Sequence, residues 1–139
     1  MSVVAALQVR VEWGDCDPAE IVFYPNYFRW FDAAAHNLFK SVDCSLAELF
    51  KRYGVVGLPL IEAHATFKQP TRFGDELAIE SRVASWERKV FRLRHTVLNR
   101  GEVSVEGLET RAWCIRHPDD PARLRAAPIP EEVVARFEA

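Results

Sequence analysis

Residues 14–27 read GDCDPAEIVFYPNY, and this stretch decides how the rest of the chain is interpreted. Its carboxylates Asp15, Asp17 and Glu20 lie in a loop that leads directly into an aromatic, apolar segment. The free N–H groups and the dipole at a helix start stabilise nearby negative charge. A carboxylate beside such donors is suited to attack on an acyl group, because the carboxylate supplies the nucleophile or base and the donors stabilise the negative charge that develops. The alternative is that Asp15 and Asp17 only cap turns, as Asp-Pro sequences often do.

The segment after the loop predicts a long helix from Tyr27 to about Lys40. Pro25 suits a helix start because its missing N–H has no intrahelical partner there, and Asn26 is a candidate cap. No Gly or Pro interrupts the segment. Its apolar residues cover most of the circumference, so we expect this helix to be buried on nearly all sides.

Elsewhere in the sequence, apolar and polar residues alternate with a period of two, which predicts β-strands before and after this helix. We expect strands at residues 7–11, 60–67, 77–83, 91–97 and 103–115, a short helix at 45–52 and a short surface helix at 130–138. Ser45 is the expected cap of the second helix, with Glu48 completing a capping box. One antiparallel sheet wrapped around the central helix accounts for both patterns. We therefore predict an α+β fold, the hot-dog fold, with a five-stranded antiparallel sheet around a central long helix, in a single domain of residues 1–139.

Length and charge exclude several classes of function. With 139 residues the chain is long enough for one domain with a substantial core. A net charge of −2 lacks the basic excess typical of nucleic-acid binding, so we expect no nucleic-acid partner. No apolar run approaches the ~20 residues of a membrane span. The first residues lack the basic start of a signal peptide, which favours a cytoplasmic protein without membrane contact.

Cysteine, histidine and glycine usage argues against bound cofactors. Three cysteines form an odd, widely spaced set, which is typical of reduced thiols. Without a CxxC pair, and with four scattered histidines, we expect no metal site. The glycines form neither a dinucleotide-binding nor a triphosphate-binding motif. Cys16 lies between two acids, whose charge disfavours a thiolate nucleophile.

The run GDCDPAEIVFYPNYFRWFDAA at residues 14–34 resembles the signature of the 4-hydroxybenzoyl-CoA thioesterase family of hot-dog enzymes. In that family a strand ends in GDxDxxGIVxYxNY, and the central helix follows. Two later blocks, GVVGLP at residues 54–59 and WERKVFRLRHTV at residues 86–97, also resemble family segments. The resemblance therefore covers about Leu7 to Ile115, which is most of the chain.

The resemblance implies a role for each residue of the motif. Asp17 matches the family's catalytic carboxylate, which acts as a nucleophile or as a base for water. The backbone N–H of Tyr24 would bind the thioester carbonyl oxygen, and loss of one such donor typically lowers a rate by about 10²–10³-fold. Asp15 and Asn26 would shape the loop. Coenzyme A is then part of the substrate, and no separate cofactor is expected.

Asp32, Arg88 and Lys89 match residues that bind substrate in the family. Asp32 corresponds to a helix acid that can meet a ring hydroxyl in aryl-CoA members; the alternative is an i, i+3 ion pair with Arg29. Arg88 and Lys89 match a basic pair near the nucleotide end of coenzyme A, where phosphate favours such residues. Their alternative role is that of a solvated, charged turn between two strands.

Four further residues bear on the site. Family members commonly have Gly before Ile-Val, where this chain has Glu20, whose side chain either alters the pocket or points to solvent. His64 and His95 lie on predicted strands, where a lone histidine is more often a satisfied polar group than a ligand. His36, on the central helix, could line a pocket but has no identified partner.

Together these observations predict an acyl-CoA thioesterase that hydrolyses an aromatic, 4-hydroxybenzoyl-CoA-like, or short-chain acyl thioester to the free acid and CoA. Because the sheet leaves its edge strands open, we expect a homodimer that joins two sheets edge to edge. We also expect this dimer to assemble into a homotetramer, whose geometry the sequence does not reveal. The alternative is a hot-dog module that binds acyl-CoA without cleaving it, but a pure binder has no use for Asp17 at the reacting carbon. A dehydratase of the same fold is less favoured, since such sites usually pair the acid with a histidine and this loop has none.

Overall fold

The computed structural model describes residues 2–138 and contains one large and one small antiparallel sheet. In chain order the elements are β1 (Ala5–Arg10), a 3-10 helix (Trp13–Asp15), α1 (Pro25–Ser41), α2 (Leu46–Tyr53), β2 (Val55–Gly57), β3 (Leu60–Phe67), β4 (Glu76–Trp86), β5 (Val90–Asn99), β6 (Glu102–Ala112), β7 (Cys114–Arg116), β8 (Leu124–Ala126) and α3 (Glu131–Phe137). The large sheet has the order β1-β4-β5-β6-β3, and all its neighbouring strands are antiparallel. The predicted five-stranded sheet is confirmed.

Helix α1 packs against the inner face of the large sheet and forms the core with it. Its buried residues are Tyr27, Trp30, Phe31, Ala34, Ala35, Leu38 and Phe39. They pack with inward residues of the strands, such as Ile79, Leu93 and Val105. The other side of the helix exposes Arg29, Asp32, Ala33 and Lys40. The expectation of burial on nearly all sides is therefore wrong for a single chain, because this strip faces outward.

The start of α1 differs from the prediction. Tyr24 occupies the N-cap position and Pro25 is the first helical residue. Asn26 lies inside the first turn, where its side-chain amide donates to the carbonyl oxygen of Asp15 at 2.8 Å. The prediction that Asn26 caps the helix is wrong, and the residue instead ties the helix to the preceding loop.

The small sheet has the order β2-β7-β8 and was not predicted. Its strands have three residues each, which is too short for alternation to show. The predicted strand 103–115 breaks at Trp113, whose N–H donates to the carbonyl oxygen of Lys89. Helix α3 forms as predicted but packs on the core through Val133 and Phe137, which are buried. None of the helices within residues 2–138 is long and apolar enough to cross a bilayer.

Strand β3 is an edge of the large sheet and, within residues 2–138, pairs only with β6. Seven of its eight residues are exposed. Leu60, Ile61 and Phe67 are large apolar residues among them. An exposed strand edge with apolar side chains is a surface that proteins usually cover.

Candidate active site

The acidic loop between β1 and α1 is closed by its own backbone. Asp17 N–H donates to Ile21 O at 2.9 Å, and Glu20 N–H donates to Asp17 O at 2.8 Å. Val22 N–H donates to Thr71 O at 2.9 Å, which ties the loop to the segment before β4. Backbone hydrogen bonds therefore fix the turn that carries Asp17.

Asp15 holds the loop together, because both oxygens of its carboxylate are occupied. Oδ2 accepts from the Glu12 N–H at 2.9 Å, and Oδ1 accepts from Arg29 Nη2 at 3.1 Å. Its carbonyl oxygen accepts from the Phe23 N–H at 2.9 Å and from the Asn26 amide at 2.8 Å. The turn-capping interpretation is right for this acid.

Asp17 is half-buried and uses only one of its carboxylate oxygens within the loop. Oδ1 accepts from the Ala19 N–H at 2.8 Å. Oδ2 has no hydrogen-bond partner among residues 2–138, and no cation in that range forms an ion pair with it. A carboxylate with one fixed and one free oxygen is oriented and still able to act as a base or a nucleophile.

The start of α1 supplies a free backbone donor. The N–H of Tyr24 has no acceptor in the described part of the chain, whereas those of Asn26 and Tyr27 donate to Phe23 O and Tyr24 O. Tyr24 stands at the positive end of the dipole of a 17-residue helix. A free N–H at this end is suited to bind a carbonyl oxygen that gains negative charge.

Asp17 and Tyr24 line the same cavity, which has a volume of about 390 Å³. This size lies within the range of small-molecule sites. The other lining residues are mostly apolar: Ile21, Val22, Tyr27, Phe67, Lys68, Gln69 and Pro70. The hydroxyls of Tyr27 and Thr71 share a hydrogen bond of 2.6 Å, and burial raises the pKa of Tyr27. The structure thus brings the two predicted reactive residues, Asp17 and Tyr24, together at one largely apolar cavity.

Asp17 also borders a second cavity, of about 500 Å³. Glu20 lines it, is exposed and has a φ of 68°, in the left-handed region that favours glycine. This backbone conformation explains why Gly is common at this position of the family. The solvent-facing interpretation of Glu20 is therefore supported by its exposure, although the side chain still borders a cavity next to Asp17.

Asp32 does not form the ion pair with Arg29 that was the alternative. Arg29 pairs with Asp15, and Asp32 Oδ1 accepts from Arg111 Nη2 at 3.0 Å. His36 Nε2 lies 3.7 Å from the same oxygen, so the histidine does have an acidic neighbour. Asp32 stands about two helical turns, or about 12 Å, beyond Tyr24. It does not line the 390 Å³ cavity of its own chain.

Arg88 and Lys89 lie in the turn between β4 and β5, far from Asp17 in the same chain. Strand β4 begins beside the end of β1, where Glu76 pairs with Arg10, and its eleven residues span about 35 Å. The turn lies at the other end of this strand. A single chain therefore does not bring this basic pair to the cavity that Asp17 lines.

A line of buried polar side chains crosses the inner face of the large sheet. Ser81 Oγ lies 2.6 Å from His95 Nδ1, and His95 Nε2 lies 2.8 Å from Glu109 Oε1. Arg111 donates to both oxygens of Glu109, at 3.1 and 3.0 Å. All four residues are at most 3% exposed. We refer to Ser81, His95, Glu109 and Arg111 as the polar chain.

Ser81, His95 and Glu109 follow one another in the order of a Ser-His-acid catalytic triad. They do not contact a substrate directly, because Ser81 is only 1% exposed. Burial opposes the ionisation of Glu109, yet the hydrogen bonds and charges of His95 and Arg111 outweigh it and lower the pKa of Glu109.

The sequence contains one indication of the polar chain. The predicted strand 103–115 alternates imperfectly, since Glu109 and Arg111 take inward positions there.

Comparison with known proteins agrees with the fold and identifies the family of the chain. The family model of the thioesterase-like superfamily matches residues 11–137. The chain is 38% identical over 133 residues to the 4-hydroxybenzoyl-CoA thioesterase of Pseudomonas sp. (strain CBS-3), covering 92% of this chain and 93% of that one. It is 26% identical to the 1,4-dihydroxy-2-naphthoyl-CoA hydrolase of Thermosynechococcus vestitus, covering 92% of this chain and 84% of the relative.

Solved structures of thioesterases share the fold of this chain. The D17N mutant of 4-hydroxybenzoyl-CoA thioesterase complexed with 4-hydroxybenzoyl-CoA superposes with a TM-score of 0.88 at 34% identity, covering 96% of this chain and 98% of that one. The gentisyl-coenzyme A thioesterase BH1999 superposes with a TM-score of 0.81 at 33% identity, covering 97% and 100%. Fold and site together define a hot-dog thioester hydrolase. The chain belongs to the thioesterase-like superfamily.

Proposed function

We propose that this protein hydrolyses aryl-CoA thioesters, preferring a hydroxylated ring such as that of 4-hydroxybenzoyl-CoA. One observation carries the proposal: a largely apolar cavity of about 390 Å³ is lined by both Asp17 and Tyr24, and within residues 2–138 one carboxylate oxygen of Asp17 and the backbone N–H of Tyr24 have no hydrogen-bond partner. The relatives described above are named for 4-hydroxybenzoyl-CoA and 1,4-dihydroxy-2-naphthoyl-CoA, which both carry hydroxylated aromatic acyl groups. Their names support the aromatic class.

In the proposed reaction the thioester carbonyl oxygen accepts a hydrogen bond from the Tyr24 N–H. Asp17 attacks the carbonyl carbon, or takes a proton from the water molecule that attacks it. Negative charge develops on the carbonyl oxygen beside the helix N-terminus, where a fixed donor lowers the barrier. The C–S bond then breaks, and CoA leaves as a thiolate that takes up a proton. When water attacks directly, the free acid forms in this step; when Asp17 attacks, a water molecule then hydrolyses the acyl-aspartyl anhydride, which releases the free acid and restores the carboxylate. The proposed reaction uses only these groups and water, without a cofactor.

We propose a homodimer formed through the free edge of β3. The Phe67 end of this strand lines the cavity of Asp17, and the Leu60 end pairs with Arg111, which holds Asp32. Antiparallel pairing of two β3 strands about a two-fold axis would place the Leu60 end of one copy beside the Phe67 end of the other. Asp32 of the partner subunit would then approach the cavity and accept from the ring hydroxyl.

A hybrid experiment tests this shared site. Asp17→Asn and Asp32→Ala chains are each assayed alone, then unfolded together, refolded and assayed with 4-hydroxybenzoyl-CoA. A hybrid dimer contains one site with both Asp17 and Asp32 intact. We expect the mixture to regain a clear part of the wild-type rate. A mixture no more active than the sum of the two separate variants would contradict the shared site.

The remaining parts of the proposal concern assembly, CoA and compartment. In the proposed dimer, the partner subunit's Arg88 and Lys89 would lie nearer the cavity than the same residues of the chain that carries Asp17. This position suits them to bind the CoA phosphates. Dimers would assemble into tetramers, a state that light scattering after size exclusion measures. Three free cysteines suit a reducing cytoplasm, which we propose as the compartment.

A substrate panel tests the function itself. Wild-type protein is incubated with 4-hydroxybenzoyl-CoA, benzoyl-CoA and short aliphatic acyl-CoAs, and free CoA is followed with a thiol reagent. We expect release that is fastest for the hydroxylated aryl thioester and about 10³-fold slower in Asp17→Asn. Equal release by both proteins would refute the assignment. Binding without release by the wild type would point to a non-catalytic module instead.

A further inference from the structure

Arg111 is fixed in place by four hydrogen bonds. Nε and Nη2 donate to the two oxygens of Glu109 at 3.1 and 3.0 Å, and Nη1 donates to the carbonyl oxygen of Leu58 at 2.9 Å. Nη2 also donates to Asp32 Oδ1 at 3.0 Å. The guanidinium cannot turn without breaking at least one of these bonds, so it presents a rigid donor to Asp32.

The residues of the polar chain that support Arg111 are also held in place by their contacts. The ring of His95 bonds Ser81 on one side and Glu109 on the other, and it stacks on Phe31 with centroids 4.9 Å apart and planes inclined by 5°. This stacking needs Gly107, because a Cβ there would stand 2.6 Å from Phe31 Cε2. The polar chain is thus a stiff support that reaches from β4 to α1.

Asp32 is the point where this support reaches the surface. Its side chain is 55% exposed, whereas those of Glu109 and Arg111 are 1% and 4% exposed. Arg111 and His36 both approach Oδ1. Oδ2 has no hydrogen-bond partner within residues 2–138, so it is left as an acceptor. An exposed Asp on a helix would otherwise change rotamer freely.

Stability alone is a weak reason for burying these charges. A buried ion pair contributes little net stability compared with apolar residues of the same volume. The pair does supply orientation, since the bidentate contact with Glu109 keeps the Arg111 guanidinium in one geometry, from which Nη2 donates one hydrogen bond to Asp32. The polar chain therefore holds the Asp32 carboxylate in one orientation at the exposed surface of α1.

We propose that Arg111, supported by the rest of the polar chain, is a positioning residue that orients Asp32 toward a hydroxyl group on the acyl part of the substrate. This inference rests on the proposed function, in which Asp32 accepts from that hydroxyl. A hydrogen bond to a fixed carboxylate favours a hydroxylated ring over an unsubstituted one by about tenfold or more. The polar chain would thereby set substrate preference without touching the substrate.

The test is the ratio of kcat/KM for 4-hydroxybenzoyl-CoA to that for benzoyl-CoA. We expect Asp32→Ala to remove most of the preference, and Arg111→Met to lower the ratio about tenfold while kcat/KM for benzoyl-CoA stays within about threefold. Because Arg111→Met leaves Glu109 buried without its partner, the neutral double variant Arg111→Met/Glu109→Gln is measured as well and should give the same ratio. Arg92→Met is the control and should keep the wild-type ratio, because Arg92 lies on β5 and pairs with Glu87 in the turn between β4 and β5.

The outcomes separate the two proposals. If wild type prefers the hydroxylated substrate and Asp32→Ala abolishes the preference, but both Arg111 variants keep it, the positioning role is overturned and the proposed function stands. Equal losses on both substrates in the Arg111 variants would likewise show a merely structural role. If wild type hydrolyses neither thioester, the proposed function fails and this inference fails with it.

Discussion

The candidate site and the polar chain both place polar groups among apolar ones, but they treat them in opposite ways. In the polar chain, both oxygens of Glu109 and both ring nitrogens of His95 are hydrogen-bonded. In the site, one oxygen of Asp17 and the N–H of Tyr24 have no hydrogen-bond partner among the described residues 2–138. Satisfied buried groups fix a structure, whereas unsatisfied groups at a cavity are available for chemistry. The number of free hydrogen-bonding positions therefore separates support from reactivity in this fold.

The largest expected effect on stability comes from the polar chain. Glu109→Ala should lower the free energy of unfolding by about 3–5 kcal/mol, because it leaves the Arg111 guanidinium and His95 buried without their shared acceptor. Urea unfolding measures the loss. The double variant Glu109→Leu/Arg111→Met removes both charges and should lose less than the single variant. A single variant as stable as wild type would show that the polar chain is not held by this carboxylate.

A smaller loss is expected where α1 approaches the sheet. Gly107→Ala would place a Cβ 2.6 Å from Phe31 Cε2 and 2.7 Å from Cζ, so the ring must lift from His95. We expect a loss of about 1–3 kcal/mol in thermal or urea unfolding, the usual range for overpacking. Gly57→Ala is the matched control, since the nearest atom to its Cβ is Pro59 Cδ at 3.9 Å. Equal losses in both variants would mean that the stacking needs no glycine.

The smallest expected effect is a gain of stability in the loop of the site. Glu20 has a φ of 68°, so Glu20→Gly relieves left-handed strain and should stabilise the protein by about 0.5–1 kcal/mol. Differential scanning calorimetry should show a rise in Tm of about 2–4 °C. Ala19→Gly, at a neighbour without positive φ, should give no rise. A drop in Tm for Glu20→Gly would mean that the Glu20 side chain stabilises the loop.

The parts of the fold with a clear period were predictable from the sequence. Strand β3 was predicted at its observed bounds, and α1 was placed within two residues at its start, because long regular patterns carry their own signal. The three-residue strands of the small sheet carry no such signal. Asn26 was misplaced because helix starts depend on local backbone geometry, which single residue preferences describe poorly.

For the site, the sequence predicted local relations but missed contacts between distant segments. Asp17 and Tyr24 are seven residues apart on one loop, and their shared cavity follows from that loop and the helix. The partner of Asp32 is Arg111, on a strand far along the chain, and no spacing rule connects the two. His95 was expected to be a satisfied polar group, and it is buried and bonded on both sides.

The two acids of the loop test the central claim most directly, since they lie close together and differ in their free oxygens. Wild type, Asp15→Asn and Asp17→Asn are compared for kcat with an aryl-CoA thioester and for the free energy of unfolding. We predict that Asp17→Asn lowers kcat by about 10³-fold and changes stability by less than about 0.5 kcal/mol. Asp15→Asn should keep kcat within about tenfold and lose about 0.5–1 kcal/mol of stability. A fast Asp17→Asn enzyme, or an Asp15→Asn enzyme as slow as Asp17→Asn, would contradict the assignment of Asp17 to chemistry and Asp15 to the loop.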